Sequence, residues 1–180
     1  MDVRLAVLPG DGVGPEVTGP AVAVLRAALR GEDGSLHATE WPVGWTAVRR
    51  EGTPLPRETL EACLEADAVL LGAVGHPDAD GEPRDRRPET GLLALRRELG
   101  CWANLRPVRV PRSLMGASAV RPERAQGTDL LIVRELAGGL YYGEPRGEAD
   151  GRAWNTLVYT EAEVRRIVGM ALDLAAARRR

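Results

Sequence analysis

"RLAVLPGDGVGPEV", residues 4–17, decides the fold. Arg4–Leu8 is a short apolar run of strand character, and it leads directly into "PGDGVGPE". Pro15 suits the first turn of a helix, where its missing N–H would have had no helical partner. Val17, Ala21, Val24, Leu25 and Ala28 then recur at helical spacing. Strand, glycine turn and helix in immediate succession open an α/β layer architecture.

The alternation continues outward from that segment. Leu36–Val43 reads as a weaker strand, and "GTPLPRETLEACLEA" (52–66) as a loop entering a helix near Glu58 or Thr59. "DAVLLGAVG" (67–75) is a compact apolar run ended by glycines, the pattern of a buried parallel strand. Asp78–Arg87 is charged and proline-bearing, hence a loop. Thr90–Leu99 is expected to be helical, with Leu92, Leu95 and Leu99 on one side. Arg96 then lies one turn beyond Leu92, and Arg97 one turn beyond Leu93, so cations continue the apolar rows. "DLLIVR" (129–134) reads as another buried strand. Residues 140–158 hold glycines and no helical period, while Leu157, Val158 and Tyr159 favour extended structure, giving a hairpin-like arm. Thr160 is expected to cap a last amphipathic helix through Val164, Ile167, Val168, Ala171, Leu172 and Ala175. The closing "RRR" reads as a solvated tail, favourable beside a helix C-terminus.

At 180 residues the chain is long enough to bury a real core. A net charge of −2 points to no nucleic-acid partner and no charged membrane surface. Every basic residue is an arginine; the 180 residues contain no lysine and no phenylalanine. No apolar run is long enough for a bilayer, and no signal-peptide pattern opens the chain, so the expected location is cytoplasmic. Cys63 and Cys101 lack metal or redox spacing and read as free thiols of a reducing compartment. His37 and His76 are likewise not at ligand spacing, and His76, in "GAVGHP", reads as a solvated loop side chain. No metal-ligating residue is expected.

Two features bear on chemistry. "GDGVGPE" offers backbone N–H groups near a helix N-terminus, suited to polar or anionic ligand groups, and equally to a tight structural turn. Its glycine spacing is not the dinucleotide fingerprint. Arginine suits ligands with several carboxylates, because its planar guanidinium donates two parallel hydrogen bonds to one carboxylate. Arg96, Arg106 and Arg134 come from different stretches of the chain, and the sequence leaves open whether they meet.

Six stretches occur in the order of a known family: "AVLPGDGVGPEV", "ADAVLLGAVG", "RPETGLLALR", "ANLRPV", "IVRELAGGLYYGEPRG" and "YTEAEVRRI". From Leu5 through Leu174 the chain resembles the N-terminal part of the 3-isopropylmalate dehydrogenases. These are β-hydroxyacid oxidative decarboxylases, related to isocitrate, homoisocitrate and tartrate dehydrogenases. The resemblance implies an α/β fold present in part: residues 1–101 from the large cofactor- and substrate-binding domain, and 102–180 from the small domain. Residues 140–158 would be the family's intersubunit arm. It implies that Arg96, Arg106 and Arg134 grip the malate carboxylates, and that Tyr141 helps protonate the carbanion left by carbon dioxide. Leu92 and Leu93 would face the isopropyl group, with Glu89 beside the nicotinamide and Val13 against its ring. The implied cofactors are NAD and Mg²⁺ or Mn²⁺. The implied substrate is 3-isopropylmalate, in leucine biosynthesis, or a related 2-hydroxy dicarboxylate.

The pattern departs from the family in one respect above all. The family's general base is a lysine acting across the dimer interface, and its metal-binding aspartates and adenosine loop lie beyond the matched segments. Arginine is no replacement for that base, since it stays protonated near neutral pH. The chain is therefore expected to be inactive alone, to leave apolar sheet edges uncovered, and to need a homodimer or a complementary C-terminal chain. The alternative is a non-catalytic remnant of the family that binds carboxylates or dimerises. A smaller departure is His76, where the family more usually has glycine.

Overall fold

The computed structural model describes residues 2–31 and 34–178, so of the Arg178–Arg180 ending only Arg178 lies among the described residues. The chain divides between Gly100 and Cys101 into two compact units.

The first unit is built on β1 (Val3–Gly10), whose run "LAVL" is the most deeply buried stretch, at 6%, 2%, 1% and 0% exposure. It is buried because both neighbours are parallel strands: β2 (Leu36–Glu40) on one side and β3 (Ala68–Ala73) on the other. Leu5 lies level with Ala38 and Ala68. Side chains alternate across a sheet, so each half of "LAVL" serves a different face. Leu5 and Val7 pack with Val22 of α1 (Gly14–Ala28). Ala6 and Leu8 pack with Val43, with Cys63 of α3 (Arg57–Glu65) and with Leu95 of α4 (Pro88–Glu98). The result is the expected α/β layering, with helices on both faces of a parallel sheet. Cys63 is a buried free thiol whose pKa is pushed up by that burial, so it is an inert core residue.

Two expectations need correction, and one element was not foreseen. The strand expected over Leu36–Val43 stops at Glu40, because Pro42 has no N–H to continue a ladder and Val43 turns into the core. The run 67–75 is half-buried: β3 pairs only with β1 among the described residues, so it is an edge strand. A seven-residue helix, α2 (Trp45–Glu51), occupies a stretch with no predicted element. It is too short for a periodic signal, and its N-terminus is held by a residue far upstream, described below.

The second unit pairs β4 (Ala103–Arg109) antiparallel with β5 (Asp129–Glu135). A short helix α5 (Pro122–Ala125) lies between them in sequence. The arm is a hairpin of β6 (Gly147–Ala149) and β7 (Arg152–Trp154). The last helix is α6 (Glu161–Ala177). β5 is not the doubly buried strand its sequence suggests, since Leu130 and Ile132 are 56% and 50% exposed on the face away from its half-buried residues. The apolar stripe of α6 is also split: Ile167, Met170, Ala171 and Leu174 are half-buried, while Val164, Val168 and Leu172 are exposed. Arg178 does not run free, because its guanidinium pairs with the Asp129 carboxylate.

Thr160 caps α6 as expected, and the cap is reciprocal. Its Oγ1 accepts from the Glu163 N–H at 3.3 Å, and its own N–H donates to Glu163 Oε2 at 2.7 Å. Thr160→Ala is expected to weaken the unit by about 1 kcal/mol, measured as a lower urea midpoint. The hydrogen bonds from Thr160 hold the Glu163 carboxyl below its ordinary 4.5. A depressed folded pKa adds stability that is present above pH 4.5 and lost as pH falls through the lower folded value. The deficit of Thr160→Ala should therefore shrink in that acid window.

Candidate active site

In the first unit, the cluster sits at the carboxyl ends of β1 and β3, the edge where open α/β sheets receive ligands. Asp11 organises it. Only 3% exposed, its carboxylate accepts from three separate backbone N–H groups. Oδ2 takes Trp45 N–H and Gly75 N–H, each at 2.9 Å; Oδ1 takes Thr46 N–H at 2.8 Å and the Thr46 hydroxyl at 3.1 Å. Two of these donors open α2, so the carboxylate also meets the positive end of that helix. Gly44 makes room for it, since a Cβ there would lie 2.3 Å from Oδ2. Thus the aspartate of "GDGVGPE" serves as an anion for the next helix, α2.

Val13 follows Asp11 on the same loop and is 56% exposed. Gly75, fixed by Asp11, stands against Glu89, whose Oε1 would be 3.3 Å from a Cβ at Gly75. Asp11 therefore ties together the loop bearing Val13 and the strand end beside Glu89. On α4, Leu95 turns into the core, while Leu92, Leu93 and Arg96 are half-buried and Arg97 pairs with Glu98 at 3.4 Å. Leu92 and Arg96 share one side, as their spacing predicts, but Leu92 is not part of the Leu95 core cluster. His76 is half-buried rather than fully solvated, and its Nδ1 accepts from the Asp78 N–H at 3.2 Å. A cavity of about 560 Å³ opens beside Pro9, Gly10, Glu40, Trp41 and Arg50, and none of the candidate residues lines it.

In the second unit, strand register brings Arg106 and Arg134 together. Arg134 lies opposite Asn104, and Arg106 opposite Ile132. Both arginines therefore project from one face of the ribbon, as diagonal neighbours. Arg106 Nε donates to Asn104 Oδ1. Arg134 lies over the ring of Tyr141, 5.2 Å from its centroid. No carboxylate among the described residues pairs with Arg96, Arg106 or Arg134, whereas Arg57, Arg109, Arg165 and Arg178 each have one.

The turn that carries Tyr141 is fastened at several points. Glu135 accepts from the N–H groups of Ala137 and Gly138, at 2.8 and 3.0 Å, and Arg166 of α6 lies 3.7 Å from the same carboxylate. Gly139 adopts φ +67° and donates to Val158 O at 3.0 Å; a Cβ there would be 2.2 Å from Tyr159 Oη. Only glycine fits that position. Sequence reading missed both Asp11 and Arg146, the latter binding the carbonyls around Tyr141. A carboxylate between glycines, and an arginine after Gly-Glu-Pro, were the available signals.

No group of three or more His, Cys, Asp or Glu side chains that could hold a metal occurs among the described residues. The donors of these residues do not fit a divalent-metal site. Val13, an exposed aliphatic, and Glu89, a carboxylate beside Gly75, lie near the carboxyl ends of β1 and β3.

The isocitrate/isopropylmalate dehydrogenase family profile matches residues 4–180. The 3-isopropylmalate dehydrogenase of Salinibacter ruber is 53% identical over 171 residues, covering 95% of this chain and 47% of the relative. That of Parasynechococcus marenigrum is 49% identical over 180 residues, covering 98% and 50%. Among solved structures, isocitrate dehydrogenase from Methylococcus capsulatus aligns with a TM-score of 0.77 at 27% identity, over 97% of this chain and 48% of its own. The β-decarboxylating dehydrogenase from Thermococcus kodakarensis aligns at 0.68 with 34% identity, over 97% and 46%. The chain thus spans about half the length of the relatives it matches. With the glycine turn, the α4 arginine and the Arg134–Tyr141 stack all inside the matched region, this chain belongs to the isocitrate/isopropylmalate dehydrogenase family.

Proposed function

We propose that these residues supply the substrate-gripping and proton-donating side of an NAD-dependent oxidative decarboxylation of 3-isopropylmalate or a related 2-hydroxy dicarboxylate. The observation that carries this reading is the shared face of Arg106 and Arg134, both without an acidic partner among the described residues, with Tyr141 under Arg134. Two guanidiniums in that state are ready for carboxylates from outside, each through paired hydrogen bonds. Arg96 of α4, in the first unit, is likewise proposed as a carboxylate-binding residue. Leu92 and Leu93 offer an apolar wall to a branched side chain, a preference of about 1–3 kcal/mol over a polar competitor. Tyr141 hands its phenolic proton to the carbon from which carbon dioxide departs. When bound, NAD accepts the hydride from the hydroxyl-bearing carbon.

The hydroxyl proton needs a base, and a second copy of these 180 residues has no lysine either, so a lysine base would come from sequence outside them. A second reading is a family member that binds carboxylates without turnover. NAD reduction with 3-isopropylmalate and Mg²⁺ separates them. The 180 residues alone should give none, and adding the remaining half of the Salinibacter ruber enzyme should restore it. Turnover by the 180 residues alone would overturn the assignment of the base.

A further inference from the structure

Arg146 is the one arginine of the arm whose side chain is spent on backbone carbonyls. Its Nη2 donates to Leu140 O at 2.9 Å and to Gly143 O at 2.8 Å, and its Nε donates to Gly143 O at 3.1 Å. These two carbonyls bracket Tyr141 and Tyr142. The Arg146 side chain is 23% exposed, and Glu144 lies against it: Oε1 is 3.4 Å from Nε, while Oε2 accepts the Arg146 N–H at 3.1 Å. A rigid fork that satisfies carbonyls on both sides of a residue fixes the path of the backbone between them. Glu135 fastens the N–H groups on the preceding side, at Ala137 and Gly138. The turn is thus gripped by an anion on its N–H groups and by a cation on its carbonyls. The backbone of Tyr141 runs between these bonds, with its ring beneath Arg134.

We infer that Arg146 is a positioning residue for the Tyr141 phenol, holding it against Arg134. The inference rests on the reading of Tyr141 as proton donor only for its catalytic consequence. The geometric part can be measured in this chain without turnover. The ring of Tyr141 shifts the NMR resonances of the Arg134 side chain, and Tyr141→Leu defines the size of that shift. Arg146→Met is expected to lose at least half of it. Arg146→Lys should recover part, because an ammonium reaches one carbonyl but cannot fork to two. Thr156→Val is the control: it removes the bond from Thr156 Oγ1 to Pro145 O in the same arm, 2.7 Å long, and should leave the shift intact.

In the complemented NAD assay, Arg146→Met should lower kcat tenfold or more with little change in KM for 3-isopropylmalate, since the arginine grip remains. An unchanged ring shift in Arg146→Met overturns the inference, and so does an equal loss in Thr156→Val, which would reveal mere loosening of the arm. If instead Tyr141→Phe leaves kcat unchanged, the proton-donor reading fails while the ring shift still reports whether Arg146 holds the turn.

Discussion

Asp11→Ala is expected to cost the first unit about 3 kcal/mol or more, because it removes the acceptor of three backbone N–H groups. For a unit of this size that is about a 10 °C fall in thermal midpoint or more. Asp11→Asn is expected to do no better, and the reason is geometric. Both carboxylate oxygens accept from a backbone N–H: Oδ1 from Thr46, Oδ2 from Trp45 and Gly75. Whichever way an asparagine amide turns, its NH₂ faces a donor. Calorimetric scans of the three proteins check this, and an asparagine variant as stable as the parent would contradict it. The effect should reach function as well, since the loop of Val13 and the Gly75 backbone beside Glu89 lose their common anchor.

The second large effect is on chemistry. Tyr141→Phe keeps the ring beneath Arg134 and removes only the hydroxyl, so folding should be unchanged. In the complemented assay, kcat should fall by about 10² or more, the usual worth of a positioned proton donor. KM for 3-isopropylmalate should hardly move, because the arginines proposed to grip the carboxylates are untouched. A rise in KM at constant kcat would instead make Tyr141 a binding residue.

How much of this was legible in the sequence depends on how far apart the deciding residues lie. β1, α1, α3, α4 and α6 announce themselves by local apolar spacing, and the cap at Thr160 by Glu163 three residues on. α2 does not, since the group that completes its N-terminus is Asp11, more than thirty residues earlier. β4 was readable as the motif "ANLRPV" but not as a strand, because Pro107 interrupts it and it has no clean alternation. Its pairing with β5 supplies the ladder. The same pairing makes the site. Arg106 and Arg134 share a face only because Asn104 lies opposite Arg134, and a slip of one residue would send one arginine to the other side. Burial was overestimated for β3 and β5 for a related reason. An apolar run records what a strand prefers to have on both sides, while the described residues cover β3 along one edge and leave Leu130 and Ile132 open on one face of β5.

The central claim is that Arg106 and Arg134, which have no acidic partner among the described residues, form a dicarboxylate grip. It is tested most directly by calorimetric titration of the chain with 3-isopropylmalate and with 2-hydroxy-4-methylpentanoate, which keeps the branched side chain and one carboxylate. The account predicts saturable binding of the dicarboxylate, at least about tenfold tighter than the monocarboxylate, with the difference abolished in Arg106→Met and Arg134→Met. Equal affinity for the two ligands, or a preference that survives both substitutions, would contradict it.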